Sequence, residues 1–211
     1  MADSFDPKWL QWARQLQAIA QNGLTYAQGT YDIERYEQVR QVAAEMMATG
    51  AGVGTPRVLD LFSQELGYAT PKVDGRGVVF RDDALLLVRE LADDGRWTLP
   101  GGWADPNESP AEAVVREVWE ETGYATRASR LLAVYDRSKH PHTPPYPFHI
   151  YKLFFQCELV GGAPTRSHET GESAFFRAHE IPELSKSRVT PDQIARLFAL
   201  HQHPDWPTDF D

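Results

Sequence analysis

Residues 101–124, GGWADPNESPAEAVVREVWEETGY, constrain this chain more than any other stretch. Ser109-Pro110-Ala111-Glu112 has the form of a capping box with proline at the first helical position, so a helix is predicted to start there. Gly123 supplies its stop. On a wheel of about 100° per residue, Ala113, Glu117, Glu120 and Glu121 fall within an arc of roughly 100°. Ala111, Val114, Val115, Val118, Trp119 and Thr122 take the opposite side, which predicts an apolar face against a core. Arg116 stands one turn before Glu120, and Glu117 one turn before Glu121. Three carboxylates on one short face repel each other unless a positive charge sits among them. Oxygen donors suit hard divalent cations such as Mg²⁺ or Mn²⁺, and Mg²⁺ sites usually include substrate phosphates. A merely solvated acidic face would not need Gly102, Glu108, the Arg116-Glu117 pair and Gly123 at fixed spacing as well.

That full pattern resembles the Nudix box, with every invariant position matched and one departure, Tyr124, where the family usually carries an aliphatic residue. The resemblance implies an α/β/α sandwich with a mixed sheet, preceded here by a small all-helical N-terminal domain. It implies metal-binding or base-providing roles for Glu117, Glu120 and Glu121, and a backbone metal ligand at the Gly101 carbonyl. Arg116 and Glu108 correspond to the salt-bridged pair that orients the acids. Gly102 and Gly123 are structural positions of the box.

Composition fits an enzyme. A chain of 211 residues predicts one ordinary domain with an appendage, or two small ones. The expected division is residues 1–68, helical, and residues 72–205, catalytic. A net charge of −9 argues against a general nucleic-acid coat, though a local basic patch around an anionic substrate is compatible with it. The one cysteine, Cys157, leaves no internal disulfide and reads as a small core residue. No apolar run approaches about 18 residues, so no membrane span is expected, and the first residues carry no signal pattern. The expected location is the cytoplasm.

The N-terminal third reads as three helices. Pro7 opens the first, with Trp9, Trp12, Ala13, Leu16 and Ile19 as its apolar stripe and Gly23 as its end. Thr30 opens the second, striped by Ile33, Tyr36, Val39, Ala43, Met46 and Met47. Residues 49–54 read as a loop, and Thr55-Pro56 opens a third helix that Gly67 closes. Three short helices could read DNA. Up to Thr70, however, five basic residues face eight acidic ones, a net of −3, which is wrong for a duplex binder. The helices therefore read as a cap on the catalytic domain or on a second subunit, with a homodimer expected. This segment, KWLQWARQLQAIAQNGLTYAQGTYDIERYEQVR, also resembles the helical N-terminal domain of a Nudix subgroup that includes CDP-choline pyrophosphatases. Strands are predicted at residues 73–80, 84–89, 131–135, 148–157 and 174–176, with a hairpin turn at Arg81-Asp82-Asp83 and a closing helix over residues 191–201.

Two further stretches carry candidate chemistry. Residues 136–146 form a proline-rich connection that clusters Arg137, Lys139, His140 and His142, suited to a substrate phosphate. The two histidines lack a third nitrogen or sulfur ligand nearby, so zinc is not expected. The second stretch, residues 167–172, holds Glu169, which by the family resemblance takes the place of an extra acid that serves as metal ligand or base. The implied reaction is attack of an activated water on a diphosphate bridge, with Glu117 or Glu169 accepting the proton. The expected substrate is a nucleoside diphosphate linked to another group, CDP-choline giving CMP and phosphocholine by subgroup resemblance, with ADP-ribose as the alternative. A ligand-binding regulator without turnover would not need the full set of acids. RNA trimming would need a strand-sized basic groove.

Overall fold

The structure, a computed structural model, describes residues 4–165 and 170–211. It divides into two units: residues 72–145 with 150–211, and residues 4–71 with 146–149.

The smaller unit is built on α1 (Lys8–Tyr26), α2 (Thr30–Ala51) and α3 (Thr55–Ser63). Its core is Leu10, Ala13, Ala43, Ala44, Met47, Ala48, Val58 and Phe62. The alanines set the contact: without bulk at these positions, α1 and α2 come close along their small-residue faces. Two predicted boundaries shift for the same reason. Gly23 does not end α1; a Cβ there would lie 2.3 Å from the Tyr36 ring, so this glycine makes room for an aromatic side chain of α2. Gly50 does the same for Trp9, and α2 runs through it to a left-handed cap at Gly52, φ 68°. The contacts Trp9–Gly50 and Gly23–Tyr36 run the two helices antiparallel. The predicted stripe of α1 holds in part: Ala13 lies in the core and Trp9 and Leu16 pack against it. Leu10, Ala13, Gln17 and Ala20 are buried, whereas Trp12 is 55% and Ile19 48% exposed. Helix α3 stops at Ser63, ahead of the expected Gly67.

The larger unit is a mixed sheet flanked by helices. Its strands are β1 (Lys72–Arg81), β2 (Ala84–Glu90), β3 (Arg96–Thr98), β4 (Tyr124–Asp136), β5 (Ile150–Gly162), β6 (Thr170–Phe176) and β7 (Asp209–Phe210). The order is β3-β2-β1-β5-β4-β7, with β6 also on β2. Strand β1 runs parallel to β5 and turns into β2 through Asp82 and Asp83, both at positive φ (47° and 61°), the backbone a tight two-residue hairpin requires. One face packs on α4 (Pro110–Thr122) through Val79, Leu86, Val114, Val118, Tyr124 and Cys157. The other packs on α5 (Pro191–Gln202) through Val78, Leu87, Phe154, Ile194 and Leu197 among others. Those two helical layers around a sheet are the predicted α/β arrangement. Burial pushes the Cys157 thiol up to about 12, in keeping with a core residue. Among the described residues no helix is long and apolar enough to cross a membrane.

Candidate active site

Helix α4 starts as its sequence predicts. The Ser109 hydroxyl accepts from Glu112 N–H, and Glu112 Oε2 accepts from Ser109 N–H at 2.8 Å. The helix closes on Gly123 at φ 75°. Val114, Val118 and Thr122 face the core, and Ala113 is buried with them; Trp119 departs from the predicted apolar face and is 54% exposed.

Arg116 organises the acids. Its Nε donates to Glu108 Oε1 at 2.8 Å and its Nη2 to Glu108 Oε2 at 3.0 Å, a fork on one carboxylate. Its Nη1 donates to Glu117 Oε1 at 2.9 Å and Glu120 Oε2 at 3.0 Å. The hydrogen bonds that Arg116 donates to Glu108 first of all raise the guanidinium pKa further above its ordinary value. One cation thus hydrogen-bonds three carboxylates, two of them from the box face, and Asp105 Oδ2 stands 3.6 Å from its Nη2.

The third acid of that face points elsewhere. Glu121 Oε2 accepts from the Gly101 N–H at 2.8 Å. Burial pushes its carboxyl up to about 7, against the pull of Arg76 and the Gly101 amide, with Glu117 and Glu90 adding to the rise. Burial also raises Glu117, opposed by its bond to Arg116. Gly102 lies under Glu117: a Cβ there would sit 3.1–3.3 Å from the carboxylate. Gly101 needs to be glycine on two counts, a φ of 139° and a Cβ position only 2.1 Å from Gly75 O.

Three carboxylates and a carbonyl at Gly101 are the donor chemistry that Mg²⁺ and Mn²⁺ prefer. Among the described residues no three acidic, histidine or cysteine side chains already converge as a metal cluster. Glu117 and Glu120 are drawn to Arg116, and Glu121 to Gly101 N–H, so the side chains fit such an ion in kind while protein donors hold their charges. Glu169 lies outside the described residues; the neighbouring Thr170 donates from Oγ1 to the Glu121 carbonyl at 3.0 Å.

The 136–146 connection is built differently from its expected role. Arg137 is buried, donating through Nη2 to Pro144 O at 2.8 Å and Ser187 O at 3.3 Å. His142 is buried too, with Nδ1 3.0 Å from Lys186 O and Nε2 3.3 Å from Gln193 Nε2. A neutral ring that donates from Nδ1 and accepts at Nε2 satisfies both contacts. Burial, reinforced by Lys152 and Arg137, pushes its pKa down to about 3, so it carries no charge at neutral pH. His140 pairs with Asp211 Oδ1 at 3.1 Å, and Lys139 is half-buried. Arg137, His140 and His142 tie the connection to the 186–193 segment and to Asp211 instead of standing open as a cationic cluster.

Sequence reasoning overlooked the buried trio Asp74, Arg76 and Lys152. The signal was present: in the run Lys72-Val73-Asp74-Gly75-Arg76-Gly77, charged residues alternate with glycines inside an otherwise apolar strand.

Comparison with known proteins places this architecture. Residues 71–198 match the NUDIX domain and residues 7–62 a UDP-X-like N-terminal oligomerisation domain. The chain therefore belongs to the Nudix family and is a Nudix-type pyrophosphohydrolase, acting on phosphorus-containing acid anhydrides. It is 48% identical over 204 residues, 97% of each chain, to the Bacillus subtilis (strain 168) protein named "Putative ADP-ribose pyrophosphatase YjhB". Among solved structures it resembles a UDP-X diphosphatase, at 30% identity and a TM-score of 0.63, over 96% of this chain and 98% of that one. An ADP-ribose pyrophosphatase of Streptococcus suis 89-1591 matches at 38% identity and a TM-score of 0.60, over 67% of this chain and 100% of that one.

Proposed function

We propose that this chain hydrolyses the diphosphate of a nucleoside diphosphate linked to a sugar, with ADP-ribose as the preferred substrate and AMP and ribose 5-phosphate as products. The observation that carries the reaction is the α4 face, where Arg116 and the Gly101 amide hold Glu117, Glu120 and Glu121 beside a glycine backbone. The full-length likeness to a protein named for ADP-ribose supports the substrate. UDP-linked compounds are the second reading, favoured by the UDP-X-like N-terminal match. CDP-choline rested on the resemblance of the N-terminal helical segment to a subgroup that includes CDP-choline pyrophosphatases. The UDP-X-like match of that segment and the full-length likeness to a protein named for ADP-ribose rank it below those two substrates.

Glu117, Glu120, Glu121 and the Gly101 carbonyl would hold Mg²⁺ or Mn²⁺. When bound, such ions neutralise the diphosphate and make a water more acidic. Arg116 orients Glu117 and Glu120 through its two Nη1 bonds. Glu117, half-desolvated with a raised pKa, and Glu169 are the two acids suited to take the water's proton. Gly102 keeps the space beside Glu117 open.

The test is kcat/KM on ADP-ribose, UDP-glucose, CDP-choline, NADH and nucleoside triphosphates, with Mg²⁺ and with Mn²⁺. ADP-ribose is expected to lead by at least about tenfold, the scale of one to two kcal/mol of pocket discrimination. A preference for triphosphates would sink the reading.

A homodimer through the helical unit goes with it. Trp12, Ile19 and Tyr26 recur every seventh residue on α1 at 55%, 48% and 68% exposure, an apolar stripe suited to a second copy. The oligomerisation-domain match supports that occupant. Sedimentation equilibrium is expected to give a dimer at micromolar concentration, and a monomer for Trp12→Glu with Ile19→Glu. A wild-type monomer would remove the proposal.

A further inference from the structure

On β1, Gly75 and Gly77 face α4: a Cβ would come within 2.7 Å of Val114 at the first and 2.4 Å of Val118 at the second. By alternation Asp74 and Arg76 point to the opposite face. Both are nearly sealed from water, at 6% and 3% exposure, as is Lys152 at 1%, which stands opposite Asp74 on β5. Arg76 Nε donates to Asp74 Oδ1 at 2.7 Å and Nη2 to Oδ2 at 3.2 Å. Lys152 Nζ donates to the same Oδ2. With one edge of its guanidinium clamped in this way, Arg76 turns Nη1 onto the Leu99 carbonyl at 3.1 Å.

That carbonyl begins the loop carrying the site. Past it the backbone runs alongside β1: Gly77 N–H donates to Pro100 O at 2.8 Å, Gly75 N–H to Gly102 O at 2.8 Å, and Ala104 N–H to Val73 O at 3.1 Å. Gly101 is pressed onto Gly75 and Arg76 in the middle of this ladder, with its own N–H on Glu121. Burying three ionised groups is a poor route to stability, since apolar residues of similar volume commonly serve as well or better. What an apolar trio could not do is hold a backbone carbonyl by a fork locked at its other side. The trio carries one more positive than negative charge, and Arg76 attracts both Glu121 and Glu117.

We propose that Arg76 is a positioning residue for the hydrolase site: clamped by Asp74 and Lys152, it fixes the Leu99 carbonyl and thereby aims the Gly101 backbone and Glu121. This rests on the assignment of Gly101 and Glu121 to the site made above.

The test is Arg76→Lys, which keeps the charge and loses the fork. Mn²⁺ affinity is read without substrate, from the free-ion electron paramagnetic resonance signal, and kinetics are measured at saturating metal. The dissociation constant for Mn²⁺ is expected to rise by about tenfold and kcat to fall by about 10–100-fold, the range for partners that orient a metal ligand, with KM changed by less than about threefold. A folded variant with wild-type Mn²⁺ affinity and kcat overturns the proposal. So does a variant whose activity falls only as its folded fraction falls. Should Arg76→Lys fail to fold, wild-type protein labelled with ¹⁵N-arginine and ¹⁵N-glycine gives the answer. The Arg76 Nε–H and Gly101 N–H signals are expected to shift with one common midpoint as Mg²⁺ is added, and an Arg76 signal that stays still overturns the proposal. A wild-type protein that neither binds Mn²⁺ nor hydrolyses any diphosphate fails the functional reading itself. Normal wild-type behaviour with an indifferent Arg76→Lys fails only the positioning role.

Discussion

Glu120→Gln and Glu121→Gln are each expected to lower kcat by about 100-fold or more, and EDTA to abolish turnover of the wild type. Each substitution keeps the side chain's shape and removes one negative charge from the face that would hold the divalent ion. The fold should tolerate both. Glu120 is 55% exposed at its side chain, and its bond to Arg116 is an i,i+4 surface pair worth about 0.3–0.5 kcal/mol. Glutamine at 121 can still accept from Gly101 N–H through its amide oxygen. It also relieves a real burden. The Glu121 carboxyl, raised to about 7, binds a proton more readily in the metal-free fold than in the unfolded chain, so its ionisation above pH 7 opposes folding. Metal-free Glu121→Gln should therefore melt at or above the wild-type temperature at pH 8 while its kcat collapses. Near-normal turnover in either variant would take α4 out of the mechanism.

What the sequence made legible, and what it hid, follows from how local each determinant is. The start of α4, its stop at Gly123 and the Arg116 contacts to Glu117 and Glu120 lie within one helix. Spacing alone predicts the two helix ends and the Arg116–Glu120 pair, the family resemblance implies the Glu108–Arg116 fork across eight residues, and the contact between the adjacent Arg116 and Glu117 follows from neither. The Arg137 connection is the opposite case. Arg137 and His142 look like open phosphate ligands until their acceptors at Ser187 and Lys186 are known, 50 and 44 residues away. In α1 the large residues suggest a stripe through Trp12 and Ile19. The partner helix instead offers Ala43, Ala44 and Ala48, and close approach favours the face where α1 is small as well. Gly23 and Gly50 read as helix ends because glycine usually breaks helices. Here each one accepts an aromatic ring from the neighbouring helix, a contact no local pattern encodes.

The buried trio gives the largest expected effect on stability. Asp74→Ala removes the acid that, among the described residues, hydrogen-bonds both Arg76 and Lys152, and leaves two cations sharing the interior. Stripping one member from a buried ionic group costs about 3–5 kcal/mol, because the remaining charges lose their compensation. The loss should depend on pH with a definite sign. Burial already pushes Lys152 down to about 8, below its unfolded value, so the unfolded chain binds more protons in that window and stability rises as pH climbs from 8 towards 10.5. Without Asp74 the lysine falls further, and the rise should begin at lower pH and be steeper. Urea unfolding of wild type and Asp74→Ala at pH 7, 8 and 9 measures both the deficit and its slope. Asp74→Ala combined with Lys152→Met should recover a large part of the loss, since the repulsion disappears with the second cation. A single variant within about 1 kcal/mol of wild type at pH 7, or a double variant no better than the single one, would show that the trio is hydrated and not the sealed charge cluster its burial describes.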